Sequence, residues 1–246
     1  IAGIAIFSVQ DLIIKLLSGD YPVHQAMTIR SITATPLLLL LVVYEGGRRA
    51  VLARQPTALV LRGLIMFCAY TAYYLGLAAM PIATSVALFF TAPLFITILA
   101  IPLLGERVGL RRWMAVLFGF AGMLVMLRPD SDVFDWTSLL PVAAALCYGL
   151  SQIMARRLGT LDRASVMAFY GNCVFLVGGL TLSAVFGSGA FANEENRSLA
   201  FLLRGWVMPS LADFLQMTSC GIVAAAALVL LTHAYAIAEA NTVAPF

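Results

Sequence analysis

Three charged side chains, Asp11, Lys15 and Arg30, stand inside long apolar runs. An ionisable group at membrane depth is costly, so such groups either pair with one another or line a solute or ion path. Asp11 and Arg30 are nearly equidistant from Asp20, the centre of the turn between their segments. In an antiparallel helical hairpin both would sit about 12–15 Å from the same end, at 1.5 Å per residue. Contact between them is therefore expected, with Lys15 one turn from Asp11 on the same face. Such a pair could form the charged wall of a solute cavity, or it could hold two helices together. Tyr70, Tyr73, Tyr74 and Leu77 follow the i, i+3, i+4, i+7 spacing of one helix face, and Tyr148, Gln152 and Arg156 share another. A hydroxyl-bearing aromatic face can grip a flat organic solute and still satisfy its own polar tips. Plain helix–helix packing is the alternative. His233 could carry protons or act as a hydrogen-bonded packing residue. His24 is expected at a membrane interface, and Tyr170 and Asn172 cannot both point squarely into one cavity.

Other chemistries lack their residues. No H-E-x-x-H helix, no G-x-x-x-x-G-K-[ST] loop and no Gly-x-Ser-x-Gly elbow occurs; Lys15 is the only lysine and there are two histidines. Cys68, Cys147, Cys173 and Cys220 lie in apolar stretches without C-x-x-C spacing and read as small buried hydrophobes. No catalytic residue, metal or cofactor is expected. An intramembrane enzyme and a structural or receptor-like membrane protein stay as the alternatives to a carrier.

The elements that must position these groups follow from composition. Hydrophobic residues make up 62% of the 246 and charged residues 11%, with mean hydropathy +0.97. Ordinary soluble domains are roughly half apolar and about a quarter charged, and one core could not hide the excess. The chain is expected to be an all-α integral membrane protein. A spanning helix needs about 20 apolar residues, and eight such segments can be marked: Ile1–Leu17, Pro22–Tyr44, Thr57–Ala79, Pro81–Leu104, Leu110–Leu127, Ser138–Leu158, Ser165–Phe186 and Leu211–Ala238. A ninth begins near Asn241. Pro93 should kink the fourth. Ala115-x-x-x-Gly119 and Gly122 in the fifth should mark a close helix contact.

The connections alternate in charge. Arg48, Arg49, Arg54, Arg107, Arg111, Arg112, Arg156, Arg157 and Arg163 fall on one side; Arg128, Arg197 and Arg204 fall on the other, with Asp20, Asp130, Asp132, Asp135, Glu194 and Glu195. The positive-inside rule makes the arginine-rich turns and the N-terminus cytoplasmic. The basic turns are short, which argues against nucleic-acid binding. Trp113, Trp136 and Trp206 fall near the expected membrane boundaries, where such rings anchor.

Two short segments recur. Phe7-Ser8-Val9-Gln10-Asp11 through Lys15 resembles Tyr148-Gly149-Leu150-Ser151-Gln152 through Arg156, and Gly76–Thr84 resembles Ala234–Thr242. A repeat unit of five helices is odd-numbered, so its second copy would cross the membrane in the opposite sense, as in many secondary transporters. The units would be residues 1–127 and 137–246. Completing the second would take roughly 40–50 further residues at about 20 per span, so the chain, which opens and stops in apolar sequence, is expected to be a fragment.

Ala92-Pro93-Leu94-Phe95, Pro102-Leu103-Leu104-Gly105-Glu106-Arg107, and Gly119 with Gly122 resemble the EamA-type branch of the drug/metabolite transporter superfamily, and Val243-Ala244-Pro245-Phe246 fits the start of a second copy. The resemblance implies ten helices in two inverted five-helix bundles, about eight to nine of them present here. It also implies a multi-pass carrier of small organic solutes in a bacterial inner membrane, closest in look to carriers of S-adenosylmethionine or riboflavin. The expected mechanism is alternating access without ATP, with Asp11, Lys15, Arg30, Tyr70, Tyr73, Tyr74, Tyr148, Gln152 and His233 as candidate solute contacts and proton or ion coupling left open.

Overall fold

A computed structural model of the chain describes residues 2–106, 108–127, 136–192 and 196–237. Within them the regular structure is helical: α1 (Ala2–Leu17), α2 (Val23–Gly46), α3 (Pro56–Ala79), α4 (Ile82–Phe89), α5 (Ala92–Leu104), α6 (Leu110–Leu127), α7 (Leu139–Leu158), α8 (Ala164–Phe186), α9 (Arg197–Leu203) and α10 (Leu211–Ile237). Six stretches are long and apolar enough to cross a membrane: α2, α3, the combined Ile82–Leu104, α7, α8 and α10. The chain is an all-α, multi-pass membrane protein. Arg107, Arg128, Asp130, Asp132, Asp135, Glu194, Glu195, the region from Asn241 and the Val243–Phe246 motif lie outside the described residues.

The fourth span is two helices. Pro93 has no N–H to offer the carbonyl four residues back, and its ring crowds that carbonyl, which belongs to Phe89. Accordingly α4 ends at Phe89, Phe90 and Thr91 form a turn, and α5 restarts at Ala92. The expected kink is thus a break. α5 closes on Gly105 in the left-handed region (φ 68°), which donates its N–H back to Ile101. That conformation is nearly free only for glycine, which explains the Gly105-Glu106 pair at this helix end. Between the marked segments Ser165–Phe186 and Leu211–Ala238 stands the short α9, capped by Asn196 Oδ1 accepting from the backbone of Ser198 and Leu199.

α3 runs through the centre, against α7 and α8; α2 packs on α8 and α10, α1 on α10, and α5 on α7. Several crossings are close because a glycine stands there. A Cβ on Gly76 would come within 2.8 Å of the Pro141 ring, one on Gly63 within 2.8 Å of Val174, and one on Gly221 within 2.5 Å of the Arg30 carbonyl. Small residues let backbones approach in this way in lipid, where apolar burial supplies little drive. The contact expected at Ala115, Gly119 and Gly122 is not formed: all three are exposed, and neither glycine has a neighbour within 4 Å. α6 packs instead through its other residues on α4 and α5.

The chain has two ends across the membrane. The arginine-rich end holds the α2–α3 and α7–α8 connections, tied by the Arg54 N–H donating to Asp162 Oδ1 (2.9 Å) and Tyr170 Oη donating to the Val51 carbonyl (3.2 Å). At the opposite end, Arg204 Nη1 donates to the Gly19 carbonyl (2.6 Å) and Gln25 Nε2 to the Val207 carbonyl (2.7 Å). A strap of residues 204–207 is thereby fastened over the α1–α2 hairpin. His24, at the start of α2, is completely buried beneath it.

Candidate functional site

α3 contributes a column of side chains spaced by four residues, Arg62, Met66, Tyr70 and Tyr74, with Tyr73 beside it. Around the tyrosines the neighbouring helices supply further rings. Tyr70 meets Tyr74 edge-on (5.7 Å between ring centres) and Phe175 of α8 (5.5 Å). Tyr73 meets Phe89 at the end of α4 (4.9 Å), and Phe89 meets Tyr148 of α7 (5.3 Å). A continuous chain of rings therefore runs from Tyr148 through Phe89, Tyr73, Tyr74 and Tyr70 to Phe175. Phe89 takes its place because the break before Pro93 ends α4 there.

Two opposite charges border these rings. Asp11 is half-buried, and its Oδ2 accepts a hydrogen bond from Tyr73 Oη (3.1 Å). Arg30 is buried, and its guanidinium lies 4.8 Å over the Phe175 ring. Both lie near Tyr70, Tyr74 and Cys220. The two do share a depth, yet they form no ion pair: Asp11 is taken by Tyr73, and Arg30 stacks on Phe175 with its Nε unpartnered. Gln10, next to Asp11, donates through Nε2 to Tyr74 Oη. Asn172 faces α2, donating to the Ser31 carbonyl (3.1 Å) and Thr35 Oγ1 (2.9 Å), while Tyr170 turns to Val51, so these two part as expected.

Lys15 goes elsewhere. Its Nζ donates to the carbonyls of Leu77 (2.5 Å), Ala78 (3.3 Å) and Met80 (2.9 Å). Those are among the orphan acceptors at the C-terminus of α3, where a cation also complements the helix dipole. His233 is exposed on α10 rather than buried among the rings. Gln152 is completely buried on α7, and neither its amide oxygen nor its nitrogen has a partner. Sequence reasoning passed over Phe89, Phe175 and Arg62. Arg62 carried a readable signal, a charge flanked by Leu61 and Gly63 inside an apolar span; the two phenylalanines carried none. All four cysteines are free; Cys220 is buried, whereas Cys68 is exposed. No group of ligands able to hold a metal ion occurs among the described residues.

The arrangement offers aromatic faces, hydroxyls, one carboxylate and one guanidinium within a helical bundle. Groups of these kinds can stack on and hydrogen-bond a flat, polar organic molecule. Residues 1–128 match the model of the EamA-like transporter family. A riboflavin transporter of Rhizobium johnstonii is 33% identical over 81% of this chain and 60% of its own length. An S-adenosylmethionine uptake transporter of Rickettsia prowazekii is 27% identical over 97% of this chain and 74% of its own length. A riboflavin transporter of Vibrio cholerae is 35% identical over 68% of this chain and 50% of its own length. The chain thus spans about half to three-quarters of the length of these relatives, which are transporters and not enzymes. One crystal structure shares the fold with a TM-score of 0.69, over 99% of this chain and 82% of its own, at 17% identity.

Proposed function

The chain belongs to the EamA-like transporter family, and from that premise we propose that it is a secondary transporter of small, flat organic solutes working by alternating access. The observation that carries the reading is the ring chain bordered by Asp11 and Arg30. Aromatic faces give a planar solute area and edge contacts, and the two charges meet its polar ends. The solute contacts are Asp11, Arg30, Tyr70, Tyr73, Tyr74, Tyr148 and Gln152, joined by Phe89 and Phe175; Lys15 serves the end of α3, and His233 lies outside the set. Asp11, half-buried and held by a hydroxyl, is better placed than His233 to exchange a proton during transport. The names of the relatives make riboflavin and S-adenosylmethionine the first solutes to try.

The packing pattern supports two inverted units, 1–127 and 137–246. α3 lies on α7 and α8 as α10 lies on α1 and α2, while α2 and α8 pack on each other. A two-fold axis in the membrane plane, exchanging α1 with α7, α2 with α8 and α3 with α10, produces that set of contacts. Alternating access then amounts to rocking one unit against the other. The arginine-rich end is cytoplasmic by the charge rule, in a bacterial inner membrane.

Uptake of labelled riboflavin and S-adenosylmethionine into vesicles carrying the full-length protein tests the reading. At least one should accumulate, and Phe89→Ala and Tyr70→Ala should each lower uptake at least tenfold at unchanged membrane expression. No uptake of either solute, or full uptake by both variants, would refute it.

A further inference from the structure

A second polar cluster adjoins the aromatic chain on its arginine-rich side, between α3 and α7. Arg62 is 2% exposed, and its Nε donates to the Ser151 carbonyl (3.2 Å). Its Nη2, Ser151 Oγ and both amide atoms of Gln152 are buried without partners. The phenols of Tyr148 and Tyr70 are close enough to act on it electrostatically. Among the described residues no carboxylate lies within ion-pair distance of this guanidinium. A buried cation left uncompensated is strongly destabilising, and the planar fork of a guanidinium suits the two oxygens of a carboxylate or phosphate. Ser151, whose carbonyl meets the guanidinium, and the adjacent Gln152 carry a hydroxyl and a carboxamide, donors of the right kind.

Depth places the cluster. Arg62 is six residues into α3 and Gln152 six residues from the end of α7, so both sit about 9 Å from the arginine-rich end at 1.5 Å per residue. Asp11 is six residues from the opposite end of α1. Along α3, Arg62 and the Asp11-bound Tyr73 are separated by about 16 Å on the same rise. The interior therefore carries a carboxylate toward one end and an unpaired guanidinium toward the other, with the rings between. We propose that Arg62, Ser151 and Gln152 form a binding site for an anionic group, a carboxylate or a phosphate, of the transported solute. The proposal rests on the transporter reading and narrows it: the solute is a flat molecule with an acidic arm, which enters this site while its ring system stays on the tyrosines and phenylalanines.

The test uses full-length protein in detergent. Thermal unfolding is followed in inorganic phosphate or acetate against chloride at equal ionic strength. The wild type should be stabilised by phosphate or acetate. Arg62→Gln should lose that response, and Arg62→Lys should keep part of it. For matched ligands, the wild type should bind riboflavin 5′-phosphate over riboflavin, or S-adenosylmethionine over its decarboxylated form, by about tenfold to a hundredfold, the range for hydrogen bonds to charged groups. Arg62→Gln should abolish that preference. Should Arg62→Gln not fold, Ser151→Ala and Gln152→Leu keep the guanidinium and should each weaken the anion response. An unchanged response in these variants, no response in the wild type, or a response to phosphatidylglycerol alone would overturn the site. Because the anion response is read without transport, failure of uptake for every solute would sink the transporter reading while leaving the site standing. Normal uptake with no anion response would sink the site alone.

Discussion

Lys15 offers a sharp discrimination between a residue that handles solute and one that holds a helix. Its ammonium donates to three carbonyls at the end of α3, so Lys15→Met keeps the apolar stem and removes the donors. Hydrogen bonds to a charged group contribute about 1.5–3 kcal/mol net, and the helix-dipole interaction adds about 0.3–1 kcal/mol. The side chain is only part-buried, so water recovers some of the loss, and about 2 kcal/mol is expected. For a chain of this size each kcal/mol moves Tm by about 2–4 °C, giving a fall of about 4–8 °C in detergent. Lys15→Arg, which keeps donors at that reach, should recover at least half. Solute KM in vesicles should stay within twofold for both variants. An unchanged Tm together with a tenfold rise in KM for Lys15→Met would show that the ammonium meets the solute and would refute the capping role.

Because Asp11 and Arg30 form no ion pair, the double variant of Asp11→Asn and Arg30→Gln should be no more stable than the better single one; a double variant more stable than either would restore the pair. A cycle on Arg30→Gln and Phe175→Leu should instead give a coupling of about 0.5–2 kcal/mol from the stacked cation, and zero coupling would remove that contact. Gly221→Ala should cost about 1–3 kcal/mol by pressing on the α2 backbone at Arg30. Gly122→Ala, with open space around it, should be neutral or slightly stabilising; equal costs in thermal unfolding would contradict the packing. A cysteine at Arg54 should resist an impermeant label in intact cells while one at Ser188 reacts, and the reverse pattern would invert the orientation.

What the sequence reveals depends on which forces leave a linear trace. The helices are legible because apolar runs end at arginines, glycines and prolines: Thr57–Ala79 becomes Pro56–Ala79, Ser165–Phe186 becomes Ala164–Phe186, and Leu110–Leu127 is unchanged as a helix, though it is not among the six stretches able to cross a membrane. Depth is legible too, since hairpin arithmetic puts Asp11 and Arg30 level. Azimuth is not. Which neighbour each charge meets is decided by α3 and α8, which come from distant sequence and bring Tyr73 and Phe175 to them. The position of His24 at a helix end is legible, but not that residues 204–207 fold over it. Gly119 and Gly122 carry a close-packing pattern but face outward, because the pattern states only that a helix could approach. Arg62 is legible as a charge inside an apolar span, but its pairing with Ser151 on α7 is not.

The strap over His24 fixes a proton. The Trp206 indole N–H donates to His24 Nδ1 (3.0 Å) and Ser183 Oγ (3.1 Å), while the Ser183 hydroxyl gives its hydrogen to the Gly179 carbonyl (2.7 Å). An indole nitrogen can only donate, so Nδ1 is the accepting nitrogen and the ring proton sits on Nε2, facing the Arg204 carbonyl (3.2 Å). Trp206 thereby becomes a built-in optical probe: its emission depends on whether the indole remains bound to that imidazole. With Trp113 and Trp136 replaced by Phe, lifting the strap would register as a change in fluorescence from this one residue, with no dye attached.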